Sequence, residues 1–231
     1  MKKKDIIFII VVILFFFPFF VIESVYNAYD AFNKEHGMIM SFIKFAVLAT
    51  LGESIGLRIK EGVYNKHGFG LIPRAFVWGF LGLGIKMAFV IFASGTPKFL
   101  EYMGMENAHL ALVGPISGSK IFVAFCISTA MNLTFAPVFM TFHKITDTHI
   151  INNGGTLSGF FKPIKFKEIF PSLNWSVQWN FVFKKTIPFF WIPAHTVTFC
   201  LPEEWQVLFA ALLGIVLGVF LSIAAIMGSK N

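Results

Sequence analysis

Long uninterrupted apolar runs, separated by short polar stretches, set the pattern of this chain. A helix needs roughly 20 mostly apolar residues to cross a bilayer. Six runs meet that length, at about 6–27, 38–57, 73–94, 119–142, 180–201 and 204–227. They are too long and too continuous for the alternating strands of a membrane barrel. The pattern therefore predicts an all-α integral membrane protein, a bundle of about six transmembrane helices. The first run forms an additional N-terminal transmembrane helix within residues 1–30, and residues 31–231 form the bundle. Pro73 falls in the first turn of its run, where proline is tolerated. The fifth run is the most interrupted: Lys184 and Lys185 lie near its start, and Pro188 and Pro193 lie inside it. With Pro137 in the fourth run, these prolines predict helix breaks.

Composition strengthens the membrane assignment. Of 231 residues, 56% are hydrophobic and only 13% charged, with a mean hydropathy of +0.74. A soluble domain is nearer half apolar and a quarter charged, so this chain lacks the charges to coat a soluble surface. The basic head Lys2-Lys3-Lys4 precedes an apolar stretch from Ile6 to Val25 with no small-residue cleavage pattern after it. A retained helix fits better than a cleaved signal peptide. The segment is not the Arg-rich amphipathic leader of a mitochondrial protein, so a plasma or inner membrane is the expected location.

Charge sorts the loops. With six spans and both termini inside, fourteen lysines and arginines fall on one side and two, Lys34 and Lys98, on the other. That asymmetry is what the positive-inside rule expects. It also accounts for the net charge of +7 without a nucleic-acid partner. The basic, aromatic segment 160–175 is too short to span and is expected to lie along the inner membrane surface, against anionic lipid. "INNGG", 151–155, reads as a turn.

Polar groups inside apolar spans are the candidate chemistry, because such residues normally face a bundle interior or a wet path. Glu53, Lys86, Asn132, Thr134, His195 and Thr198 are the candidates. Small residues mark a second property, close helix packing. Gly52 and Gly56, Gly79 and Gly82, and the four-residue stripe Ala210, Gly214, Gly218 and Ser222 are the expected contact positions. Cys126 and Cys200 have no metal-ligand spacing and read as buried free thiols. No His pair at i, i+4, no H-E-x-x-H, no nucleotide-binding glycine pattern and no paired carboxylates occur. "GPISGSK", 114–120, lacks the spacing of a phosphate loop. The chain is thus expected to be no enzyme and to need no cofactor or metal.

Several of these same positions resemble one family. In "WIPAHTVTFCLP", 191–202, Trp191, Pro193 and Phe199 match a tryptophan–proline–amide signature, with His195 and Thr198 where the family carries Gln and Asn. Leu201 and Pro202 match its V-P pair after one deletion. Upstream, Gly52-Glu53 resembles the start of its G-D patch, Arg74 and Gly79 the opening of its second helix, and Ala136-Pro137 its A-P pair. Met131 and Asn132 replace its acid and amide, and Leu221-Ser222 resembles its closing pair. The chain thus resembles, in order over about 38–222, the family of the twenty-two-kilodalton peroxisomal membrane protein and its mitochondrial inner-membrane, Mpv-type relatives. That family has four transmembrane helices, so the first span is an addition. The resemblance implies a small membrane channel or transporter-like bundle of unsettled solute. The polar candidates would line its path, and a homo-oligomer in the membrane is the expected assembly. A non-conducting structural or assembly protein is the competing expectation.

Overall fold

The computed structural model describes residues 3–228 and is helical, with no strand among the described residues. Lys2 and Lys230, counted in the charge tally, lie outside them. Among the described residues four helices are long and apolar enough to cross a membrane: α4 (Gly37–Glu61), α5 (Leu71–Tyr102), α7 (Gly118–Asn152), which follows the short α6 (Ala108–Val113), and the Glu203–Phe220 part of α12 (Glu203–Gly228). The other two expected spans take different forms.

The chain divides into two compact units, Met1–Met40 and Ser41–Asn231. In the first, the expected opening span is split into α1 (Lys3–Phe16), α2 (Pro18–Val21) and α3 (Glu23–Glu35). Pro18 cannot donate the i−4 hydrogen bond that would continue α1. The backbone then leaves helical geometry at Ile22, with φ −104° and ψ 103°. The Phe19 ring packs edge-on against Tyr29 at 5.7 Å, folding α3 onto α2. No residue of α1 is buried.

In the second unit, the fifth expected span is a continuous rod rather than a broken helix. After α10 (Trp175–Val177) the chain winds as a π-helix over Gln178–Trp191 and as α11 over Ile192–Cys200. In an α-helix the Pro188 ring would collide with the carbonyl four residues back. The wider π winding moves each donor to the carbonyl five back, as Ile192 N–H donates to Ile187 O. Pro193 then occupies the first turn of α11, where no donor is needed. Pro137 lies inside α7, which continues through it. The predicted breaks at Pro137, Pro188 and Pro193 are thus a change of winding at one and uninterrupted helix at the other two.

Small residues set the spacing of α4, α5 and α12. A methyl on Gly79 would meet the Phe42 ring at 2.5 Å, and one on Gly82 would meet Ser41 O and Phe45 Cβ at 2.7 Å. On α12, Ile215 and Ser222 lie 3.1 Å from where methyls on Gly52 and Gly56 would stand, and a methyl on Gly218 would stand 3.8 Å from Gly52 O. Ala210 is buried, but Gly214 has no atom within 4 Å of its missing methyl. The four-residue stripe therefore does not act as one seam. Each four-residue step turns about 40° past a full turn, so only part of the stripe stays against α4.

Two loops close one end of this unit. Gly70 and Gly155 both have positive φ, 74° and 67°, and pack backbone to backbone. A methyl on Gly155 would meet Gly68 O and Gly70 N at 2.7 Å, so glycine is required there for conformation and for space. The 160–175 segment contributes α8 (Leu157–Phe160) at its edge and α9 (Phe166–Ser172). Ile169 and Leu173 pack on Ile145 of α7.

Candidate functional site

At the end of the bundle closed by these loops, α4, α5 and α7 bring five polar side chains together. Arg74 stands in the first turn of α5, and Trp78 lies one turn further along the same face. His143 and Asp147 have the same i, i+4 relation on α7. Arg74 Nη1 donates to Glu53 Oε2 at 2.6 Å, and its Nε donates to Phe69 O at 2.7 Å. The same guanidinium is in ion contact with Asp147 Oδ1 and lies 4.6 Å over the Phe69 ring. Trp78 Nε1 donates to Glu53 Oε1 at 2.8 Å, and the Trp78 ring lies against His143 at 4.4 Å. His143 Nε2 is 3.7 Å from Glu53 Oε1, while its Nδ1 is buried without a partner among the described residues. Lys144 reaches Asp147 Oδ2 at 3.3 Å from the more exposed side.

Side-chain exposures of 8% for Arg74, 19% for Glu53 and 15% for Asp147 put the pairs largely out of solvent. One guanidinium shared between two carboxylates, with a backbone carbonyl and an indole completing the set, satisfies most of the hydrogen-bonding capacity a buried charge requires. Val77 and Ile150 close the remaining gap, and no space for a water molecule is left between the groups. Among the described residues no cluster of His, Cys, Asp and Glu has the arrangement of a metal site.

A second polar group lies on α7 and α11. Asn132 Nδ2 meets His195 Nδ1 at 3.1 Å and donates to Ser128 O at 2.9 Å. Ser128 Oγ donates to Ile192 O at 2.7 Å, at the junction where π winding returns to α. His195 stacks on Trp191 at 5.1 Å and meets Phe89 edge-on at 5.7 Å. Asn132 is 1% exposed and Thr198 is fully buried, its hydroxyl returned to Ala194 O.

The other candidates stand apart. Lys86 pairs with Glu203 at 2.8 Å, at the start of α12. Thr134 is exposed and its hydroxyl donates to Ala130 O, one turn back on its own helix. Asn132 and His143 are eleven residues apart on α7, about 16 Å at 1.5 Å per residue. On α7 between the two groups, Ala136 packs with Ile187 and Trp191, and Met140 lies against them. The six sequence candidates thus distribute as Glu53 in the ion cluster, a buried Asn132–His195 pair with Thr198 buried on the same helix as His195, and Lys86 and Thr134 placed separately.

Arg74, Trp78, His143 and Asp147 were not among the polar-path candidates. Their signal was present as two i, i+4 polar pairs near helix ends, Arg74 with Trp78 and His143 with Asp147. Comparison with protein-family models, with curated proteins and with solved structures finds no match to this chain.

Proposed function

We propose that the chain is a small membrane pore or transporter-like protein, closed in this conformation, whose ion cluster holds one mouth of the bundle shut. The observation that carries this reading is the convergence of Glu53, Arg74, His143 and Asp147 from three apolar helices. Ionisable groups are expensive in such helices and normally mark a solute or ion pathway. The buried Asn132–His195 pair forms a second polar station, and the apolar layer at Ala136, Ile187 and Trp191 separates the two. Opening would require the Arg74 pairs to part and that layer to shift.

The wider reading counts the split N-terminal segment and the π-wound rod as spans. Six crossings then put both termini and the fourteen basic residues on the inner face of a plasma or inner membrane. Membership in the Mpv-type family belongs to the same proposal. Two contacts support it: Glu53 with Arg74, and Asn132 with His195, join positions from separate segments of the resemblance.

A second reading, a non-conducting structural or assembly protein, is favoured by one observation: the ion cluster leaves no room for water. Vesicles loaded with small ions and metabolites separate the two. A pore gives solute efflux above protein-free vesicles, whereas the assembly reading gives none for any solute and a loss of folded protein when Glu53→Gln is introduced.

A further inference from the structure

The chain from Phe161 to Lys185 carries five exposed lysines, Lys162, Lys165, Lys167, Lys184 and Lys185, against one acidic residue, Glu168. The underside of this stretch is anchored, since Ile169 and Leu173 bury against Ile145 of α7, a membrane-length helix. Exposed apolar rings accompany these charges along the same stretch: Phe161 is 77% exposed, and Phe166, Phe170 and Trp179 are about half exposed. Trp175 Nε1 donates to Phe170 O and its ring lies 4.8 Å from Phe170, which fixes the aromatic corner. The Lys184 ammonium lies 5.4 Å over the Trp179 ring, a cation–π arrangement. After Thr186 the π-wound rod is apolar from Ile187 through Trp191.

We propose that this surface is a headgroup platform for anionic phospholipid. Phe rings and the amphipathic Trp179 ring seat at the boundary between headgroups and acyl chains. Lysines on flexible stems beside them then reach the phosphates of the same layer. Glu168 pairs with Lys165 at 3.3 Å, and Lys162, Lys167, Lys184 and Lys185 are exposed. The selection concerns the lipid alone and goes beyond conduction, so a chain that passes no solute still shows it.

The full chain is reconstituted in vesicles holding equal amounts of phosphatidylglycerol and phosphatidylcholine, extracted mildly, and its retained lipid is quantified. Wild type retains the anionic lipid at least about fivefold over the zwitterionic one, and about 0.5 M salt brings the ratio toward unity. The variant carrying Lys162→Gln, Lys165→Gln, Lys167→Gln, Lys184→Gln and Lys185→Gln keeps the wild-type helical spectrum and shows a ratio near one. In detergent, added phosphatidylglycerol raises the melting temperature of wild type but not of this variant, and inorganic phosphate raises neither. A wild-type ratio near one, an enrichment the variant retains, or an equal effect of inorganic phosphate overturns the proposal.

Discussion

Replacing Arg74 by methionine tests the ion cluster most severely. Methionine fills much of the same space along the stem and removes one positive charge. What remains is Glu53 and Asp147, at 19% and 15% side-chain exposure, with Trp78 Nε1 still donating to Glu53, His143 Nε2 3.7 Å from it, and Lys144 still reaching Asp147. Removing one partner from a buried ion pair costs about 3–5 kcal/mol, because the other charge is left uncompensated. Residual exposure and the Lys144 contact place this case at the lower end, about 3 kcal/mol. For a chain of this size that corresponds to a fall in melting temperature of about 6–12 °C. Cys126 and Cys200 are free and half-buried, so a thiol-reactive fluorophore reports unfolding during a thermal ramp in detergent. Glu53→Gln and Asp147→Asn added to Arg74→Met remove the stranded charges and recover all but about 1–2 kcal/mol. An Arg74→Met protein that melts within a degree of wild type, or a triple variant less stable than the single one, refutes the assignment of these groups as a coupled buried network.

Other outcomes follow from the same geometry. His195→Leu strands the Asn132 amide from its ring partner and lowers stability by about 1–3 kcal/mol, whereas His195→Gln restores an acceptor; thermal unfolding of the two variants should separate them. Gly82→Ala forces a methyl to within 2.7 Å of Ser41 O and costs about 1–3 kcal/mol, while Gly214→Ala enters open space and is neutral or stabilising by up to about 1 kcal/mol. The order of the two melting temperatures checks this. Glu203→Gln changes stability by less than about 1 kcal/mol, since Glu203 is 75% exposed in its pair with Lys86; a larger fall would mean that this pair is held more tightly than its exposure implies.

What the pattern of residues made legible follows from the physics involved. Length and continuity of apolar runs are local properties, and α4, α5, α7 and α12 lie where those runs predict them. Apolar content does not distinguish α from π winding, so the 180–201 run gave no sign that its prolines would be absorbed by a wider helix. Glu53 stood out because a carboxylate in an apolar helix is rare. The rest of the cluster did not, because Arg74, Trp78 and His143 meet Glu53, and Asp147 meets Arg74, only after three helices pack. Asn132 and His195 were both singled out as polar, yet nothing in their separate runs states that they touch. The Ala210–Ser222 stripe was visible as spacing, while its partial use depends on the rotation that accumulates along a straight helix.

If the Glu53–Arg74–Asp147 cluster closes a conducting bundle, as proposed, loosening it changes solute flux. Vesicles containing wild type and Glu53→Gln at equal folded density are compared with protein-free vesicles for ion current and metabolite efflux. The expected result is measurable flux for wild type and a several-fold rise for Glu53→Gln, whose Arg74 pair is weakened. Flux indistinguishable from protein-free vesicles for both proteins, with both folded, would contradict it.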